Sequence, residues 1–312
     1  MKRLSRNSVL VRAALAGALS LGVLSITAPT ASAQDWAKAN LAKSPRHGEF
    51  VTITEAGGRK LQAWVVYPEI KGKAPVVVMI HEIFGQSDWA REMADEVAGA
   101  GYIVVEPDLL SGFGAPPAAG APGTANAPMD HDHMQGGAAA GAAFVPASPG
   151  GTAAFPDQGS ITKAVSNLDA SIVTADLDAA ADFGKKLPAA NGKLFVAGFC
   201  WGGGKTFAFA THRKDLSGAM VFYGPPPPVE AMKDITAPVY GFYAGNDARI
   251  SATIPDTTAA MKAAGKTYEP VVYDGAGHGF MRAGEAPDAS APNAAARAAG
   301  FRRLIELLGG VH

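Results

Sequence analysis

The segment Gly198-Phe199-Cys200-Trp201-Gly202 sets the chain's single cysteine between glycines, after an apolar run and before a helix-compatible stretch. A turn tight enough to need glycine on both sides holds its central side chain clear of the backbone, as an attacking nucleophile requires. A helix that starts directly after the turn offers free N–H groups, which favour the thiolate. A buried inert cysteine in a glycine-rich turn would look the same in isolation, so order along the chain decides. An orienting acid and then a base must follow, each in a loop after a later strand. Asp247 follows the apolar run 239–243, and His278 follows the run 269–273. Singly, Asp247 reads as a turn former and His278 as a loop residue. Together, and in this order, Cys200, Asp247 and His278 are expected to form a nucleophile–acid–base triad.

A second motif, His81-Glu82-Ile83-Phe84-Gly85, comes directly after the β-branched run 76–80. A loop there can supply one backbone donor to a developing oxyanion, and the residue after the nucleophile supplies the other. Those donors are expected to be the N–H groups of Ile83 and Trp201, contributing about 3–4 kcal/mol each to barrier reduction. Phe84 and Trp201 are expected to wall the pocket.

The elements that must position these groups follow from periodicity. Residues 50–54 and 61–67 alternate in polarity around Gly57-Gly58, which predicts a hairpin. The run 76–80 predicts a central strand covered on both faces. A helix over 88–100, stopped by Gly101, and a strand over 102–105 complete a βαβ unit with a right-handed crossover. Ile172, Val173, Leu177, Ala180 and Phe183 give a helix over 169–187 its apolar face, and Pro188 with Asn191-Gly192 ends it. Strands are predicted over 193–197, 219–223, 239–243 and 269–273, a helix over 253–264, and a loop over 275–280. Phe301, Leu304, Ile305 and Leu308 line a closing helix. Repeated βα alternation predicts one doubly wound α/β domain, its sheet mostly parallel with helices on both faces.

Composition removes other classes. The 312 residues carry 27 Lys+Arg against 28 Asp+Glu, which leaves no basic excess for gripping nucleic acid. One cysteine permits neither an intrachain disulfide nor a cysteine zinc cluster. Lys2, Arg3, Arg6 and Arg12, an apolar stretch over 13–26 and Ala31-Ser32-Ala33 read as a secretory signal spanning 1–33, without the twin arginine of the alternative export route. The mature chain, 34–312, is then expected to be secreted or periplasmic, unanchored in the membrane and monomeric. Between residues 112 and 158, 30 of 47 residues are Gly, Ala or Pro, which reads as a flexible insert or lid. It holds Met129-Asp130-His131-Asp132-His133-Met134, a spacing that could bind Cu or Zn weakly. A solvated polar break is the better reading there, because no cysteine or third histidine closes a site. No metal or organic cofactor is expected.

The segments His81-Glu82-Ile83-Phe84-Gly85, Pro107-Asp108-Leu109, Gly198-Phe199-Cys200-Trp201-Gly202-Gly203 and Gly277-His278-Gly279-Phe280 together resemble the dienelactone hydrolase family. The resemblance runs from about residue 48 to 308, apart from the insert. It implies the α/β-hydrolase fold and a carboxylic ester hydrolase whose Cys-His-Asp triad opens an enol lactone (carboxymethylenebutenolidase chemistry), its partner a small-molecule lactone or ester. It further implies that Glu82 keeps the resting thiol neutral and, once displaced by substrate, takes the thiol proton. Arg282 matches one of two arginines that hold the substrate carboxylate in that family. The second should follow Pro107-Asp108-Leu109, where this chain has Leu110-Ser111-Gly112. A general carboxylesterase or polyesterase is the alternative activity, and a non-catalytic binding protein on the same fold is the alternative class.

If residues 1–33 are an export signal, intact-mass and N-terminal sequencing of the exported protein will show a chain that begins at Gln34. A mature N-terminus still carrying Met1 would contradict the expectation.

Overall fold

Runs of β-branched residues settle in the interior of a sheet when both of its faces are covered. In the computed structural model, which describes residues 34–114 and 150–309, Ala74–Ile80 is such a strand and is buried at every position. It is the third of eight: β1 (Gly48–Thr54), β2 (Lys60–Val66), β3 (Ala74–Ile80), β4 (Ile103–Pro107), β5 (Ala190–Phe199), β6 (Gly218–Phe222), β7 (Val239–Ala244) and β8 (Tyr268–Tyr273). They form one sheet in the order β1-β2-β4-β3-β5-β6-β7-β8. β1 and β2 pair antiparallel, as do β2 and β4, and every later pair is parallel.

The helices are α1 (Asp35–Leu41), α2 (Asp88–Gly99), α3 (Gln158–Ser166), α4 (Ala170–Lys186), α5 (Trp201–His212), α6 (Ala248–Ser251), α7 (Ile254–Ala263), α8 (Phe280–Ala283) and α9 (Ala291–Leu308). Successive side chains of a strand point to opposite faces, so a central strand feeds two cores. Val76, Val78 and Ile80 of β3 join Leu177 of α4, Phe207 of α5 and Met261 of α7. Val77 and Met79 join Trp89 and Met93 of α2 with Leu304 and Leu308 of α9. This is the expected doubly wound α/β-hydrolase arrangement in a single domain. Ser87 caps α2 by accepting from Ala90 N–H, and Asp169 caps α4 by accepting from Ser171 N–H.

Parallel pairing has one consequence that matters for chemistry: strand C-termini gather along one edge. Ile80 pairs with Gly198, Phe199 with Phe222, and Ala244 with Tyr273. The loops carrying Glu82, Cys200, Asp247 and His278 therefore leave the sheet side by side.

Several sequence expectations need correction. β5 begins at Ala190, so Asn191-Gly192 is part of the strand and not a turn that ends the preceding helix. Gly192, at φ +90°, takes up a register shift opposite Ala74–Val76. Helices α1 and α3 escape a periodicity search because each buries one side chain, Ala37 and Val165 respectively. Phe280 starts a one-turn helix and is not a loop residue.

The presumed insert over 112–158 is ordered at its return. Ser111 bridges Gly150, Thr152–Ala154 forms a 3₁₀ turn, and Gln158 starts α3. Residues 1–33, His131 and His133 lie outside the described residues. Among the described residues no helix is long and apolar enough to cross a membrane. Nor do three or more His, Cys, Asp or Glu side chains there come together to hold a metal ion.

On the α2 face a carboxyl is buried against its preference. Burial pushes Glu92 up to about 8 from 4.5; Asn40, which donates to it, and Arg297 pull it down, while Glu285 and Glu96 push it further up. A raised folded-state pKa means the fold prefers the protonated acid, so this site weakens the fold as pH climbs from 4.5 to about 8. Glu92→Gln keeps an acceptor for Asn40 without a charge. Thermal melting is expected to show it stabilised by about 1–3 kcal/mol near pH 8 and hardly changed near pH 5. An equal effect at both pH values would contradict this.

Candidate active site

Cys200 N-caps α5 with φ +56° and ψ −115°, a conformation that side chains rarely adopt. Its N–H is held by Phe222 O at 3.0 Å. The chain can turn this tightly because its neighbours lack side chains. A Cβ on Gly198 would sit 2.4 Å from Gly202 O, and one on Gly202 would sit 2.4 Å from His81 O. The start of α5 is thus pressed against the end of β3, which brings the Trp201 and Ile83 amides into one place.

The sulfur is met from the far side of the sheet's edge. His278 Nε2 lies 3.0 Å from Cys200 Sγ, and His278 Nδ1 lies 2.5 Å from Asp247 Oδ2. Asp247 is buried, and its Oδ1 also accepts from Ile250 N–H at 3.4 Å, capping α6. Asn246 N–H donates to Ala276 O at 2.9 Å and its side chain donates to Gly275 O at 3.0 Å, which ties the acid loop to the histidine loop. Asn293 of α9 accepts from Gly277 N–H at 2.8 Å and fixes that loop from behind. The three residues read from the sequence as a triad therefore converge in space.

Burial pushes the Cys200 thiol up, and the charge of Glu82 adds to the rise. The backbone N–H groups of Trp201 and Ile83 both bear on the sulfur and oppose it, as does the charge of Arg249. Burial also raises Glu82, against the pull of Arg282, His278 and the Tyr223 hydroxyl. Arg282 Nε donates to Glu82 Oε2 at 2.7 Å, and its guanidinium lies 4.9 Å from the centre of the Phe84 ring. The resemblance implied that Glu82 restrains the thiol. In the structure its charge raises the thiol, its carboxylate is engaged by Arg282, and the thiol's hydrogen-bond partner is His278. Leu110 and Ser111, where a second arginine was sought, are buried.

A family model described as "Dienelactone hydrolase family" matches residues 61–311. The chain belongs to that family. It is 29% identical over 290 residues to a "putative carboxymethylenebutenolidase" of Methylorubrum extorquens, covering 89% of this chain and 84% of that one. It is 26% identical over 236 residues to the carboxymethylenebutenolidase of Pseudomonas putida, covering 75% and 86%. A Klebsiella pneumoniae crystal structure titled as a putative dienelactone hydrolase superposes with a TM-score of 0.64 at 25% identity, covering 84% of this chain and 98% of that one.

On this dienelactone hydrolase scaffold three further residues border the site and were not singled out in the sequence. Tyr223 directly follows β6 at φ +39°, is fully buried, and meets the His278 ring edge-on at 5.1 Å. Its signal was the strand end followed by Gly224-Pro225. Arg249 sits two residues after Asp247, where its charge reaches the sulfur. Thr152 ties together the loops after β3 and β4: its N–H and hydroxyl donate to Asp108 at 2.7 and 2.8 Å, and its Oγ1 accepts from Gln86 N–H at 2.9 Å. The surrounding tract of alanine, glycine and proline hid that anchor.

Because Glu82 raises the thiol, Glu82→Gln is expected to move the pH midpoint for alkylation of Cys200 by iodoacetamide downward. Alkylation at neutral pH should accelerate about 3- to 30-fold, since one pKa unit is tenfold in thiolate. An unchanged or upward-shifted midpoint would refute the coupling.

Proposed function

We propose that this protein hydrolyses a lactone or ester through a cysteine nucleophile. The observation that carries the proposal is the continuous chain from Cys200 Sγ to His278 to Asp247, at 3.0 and 2.5 Å. His278 accepts the thiol proton as Sγ attacks the carbonyl carbon, and buried Asp247 steadies the resulting imidazolium. The Ile83 and Trp201 N–H groups receive the developing oxyanion. As the carbon–oxygen bond breaks, His278 returns the proton to the departing oxygen. Water then attacks the thioester, again with His278 as base, and the thiol leaves with a free carboxylate as co-product.

Arg282 is the docking group for a substrate carboxylate. Binding there competes with Glu82 for the guanidinium and displaces that carboxylate, which relieves the charge that keeps the thiol protonated. Leu110 and Ser111, buried and uncharged, add no second cation from their loop, so the proposal extends to lactones and esters as a class. The basic start, apolar stretch and Ala31-Ser32-Ala33 of residues 1–33 support an export signal, and with it an activity outside the cytoplasm. An enzyme whose thiol is mostly neutral at rest resists oxidation there.

Hydrolysis of p-nitrophenyl acetate by the wild type, Cys200→Ala and His278→Ala tests the proposal. Both substitutions are expected to lower kcat/KM by at least about 10³-fold. Equal rates in all three proteins would remove the enzymatic reading and leave a binding protein. A panel of lactones and esters with and without a free carboxylate, assayed against Arg282→Ala, then fixes the substrate class.

A further inference from the structure

His81 is fully buried directly behind the two N–H groups that face the sulfur, and no step of the proposed chemistry uses it. Its Nδ1 lies 2.7 Å from Glu82 O, and its Nε2 lies 3.4 Å from Leu109 N. A carbonyl can only accept and a backbone N–H can only donate, so these partners allow one arrangement: Nδ1 protonated and Nε2 bare. A second proton on Nε2 would confront the Leu109 N–H, and burial also drives the ring away from its charged form against the pull of Asp108.

The bond to Glu82 O has a geometric consequence. Within one trans peptide the C=O and the N–H point in opposite directions. The peptide whose carbonyl His81 holds is the one whose N–H belongs to Ile83, and that N–H bears on Cys200 Sγ. The imidazole also stacks on Trp201, with ring centres 5.8 Å apart and planes 10° from parallel. His81 O is the atom against which Gly202 is pressed. One residue therefore touches both halves of the proposed oxyanion hole.

We propose that His81 is a positioning residue: as a neutral imidazole it locks the Glu82–Ile83 peptide plane through Nδ1–H and braces Trp201 by stacking, so that both donors aim at the oxyanion. This rests on the reading that Cys200 attacks and that Ile83 and Trp201 stabilise the oxyanion.

The test compares wild type, His81→Leu, His81→Asn and Cys200→Ala. His81→Leu keeps bulk but removes the donor, and ester kcat is expected to fall about 10- to 100-fold with KM within about twofold. Inhibition by a trifluoromethyl ketone, whose thiohemiketal oxyanion occupies the hole, should weaken by a similar factor. Iodoacetamide alkylation at its high-pH plateau, where the thiol is fully ionised and no oxyanion forms, should keep its rate, while its pH midpoint rises as the Ile83 N–H turns away from the sulfur. His81→Asn, whose amide N–H reaches the Nδ1 position, should recover most of kcat. In the wild type, ¹⁵N-NMR assigned by difference from His81→Asn should show the neutral Nδ1–H tautomer.

Wild-type kcat in a folded His81→Leu, a parallel loss of ester turnover and plateau alkylation, or an Nε2–H tautomer would each overturn the proposal. If His81→Leu does not fold, the kcat of His81→Asn and the wild-type tautomer decide. Should Cys200→Ala turn over like the wild type, the nucleophile assignment fails. If Cys200→Ala is dead and His81→Leu is fully active, only the role of His81 fails.

Discussion

The site depends on a single backbone turn. Among the described residues outside glycine, positive φ occurs at Cys200 and Tyr223, and both stand at the triad. Holding a side chain in such a conformation costs about 1–3 kcal/mol, and it persists only where the surroundings over-determine it. Here they do. The cysteine N–H is fixed by Phe222 O, and the turn's glycines lie so close to other backbone that even a methyl group would collide. The same compression that strains Cys200 brings the first amide of α5 against the end of β3. The strained conformation and the converging donors are thus one geometric fact.

Around that turn, charge is arranged to keep the sulfur quiet until it is needed. A buried carboxylate, Glu82, sits near the thiol and is itself held by Arg282, so an ion pair lies beside a sulfur whose pKa is raised. Breaking a buried pair by removing one partner is costly. A substrate carboxylate at Arg282 would keep the guanidinium paired, and Glu82, already raised by burial, would favour its protonated form once released. The buried His81 imidazole beneath, the Asp108–Thr152 clasp and the Asn293 bond to Gly277 add rigidity on three sides, which suits a site that works by orientation.

Much of this was legible in the sequence, and the exceptions have physical causes. The strands that bury both faces, such as β3 with seven apolar or small residues, have patterns that allow no other reading. The triad was legible because its three members must each follow a strand and must come in order, a constraint that coincidence rarely meets. Ile83 and Trp201 followed from position alone, since backbone donors need no particular side chain. What escaped lies where side chains carry little signal. α1 and α3 are short and each buries one residue, so no apolar period could form. Asn191-Gly192 looked like a turn because the residues that favour turns also relieve a bulge. Thr152 was hidden in a tract of alanine, glycine and proline, where one hydroxyl gives no pattern to detect. The partnership of Glu82 with Arg282 joins residues 200 positions apart, and neither periodicity nor the family resemblance, which gave each residue a separate role, paired them.

The most direct test of the central claim is to catch the covalent intermediate. The protein should be mixed with a slowly deacylating aryl ester, quenched in acid within the burst phase, and followed by intact-mass and peptide-level mass spectrometry. One acyl group per chain is expected, carried by the peptide containing Cys200 and labile to hydroxylamine, as a thioester should be. An acyl group on any other residue, or turnover with no acylated protein at any time, would contradict it.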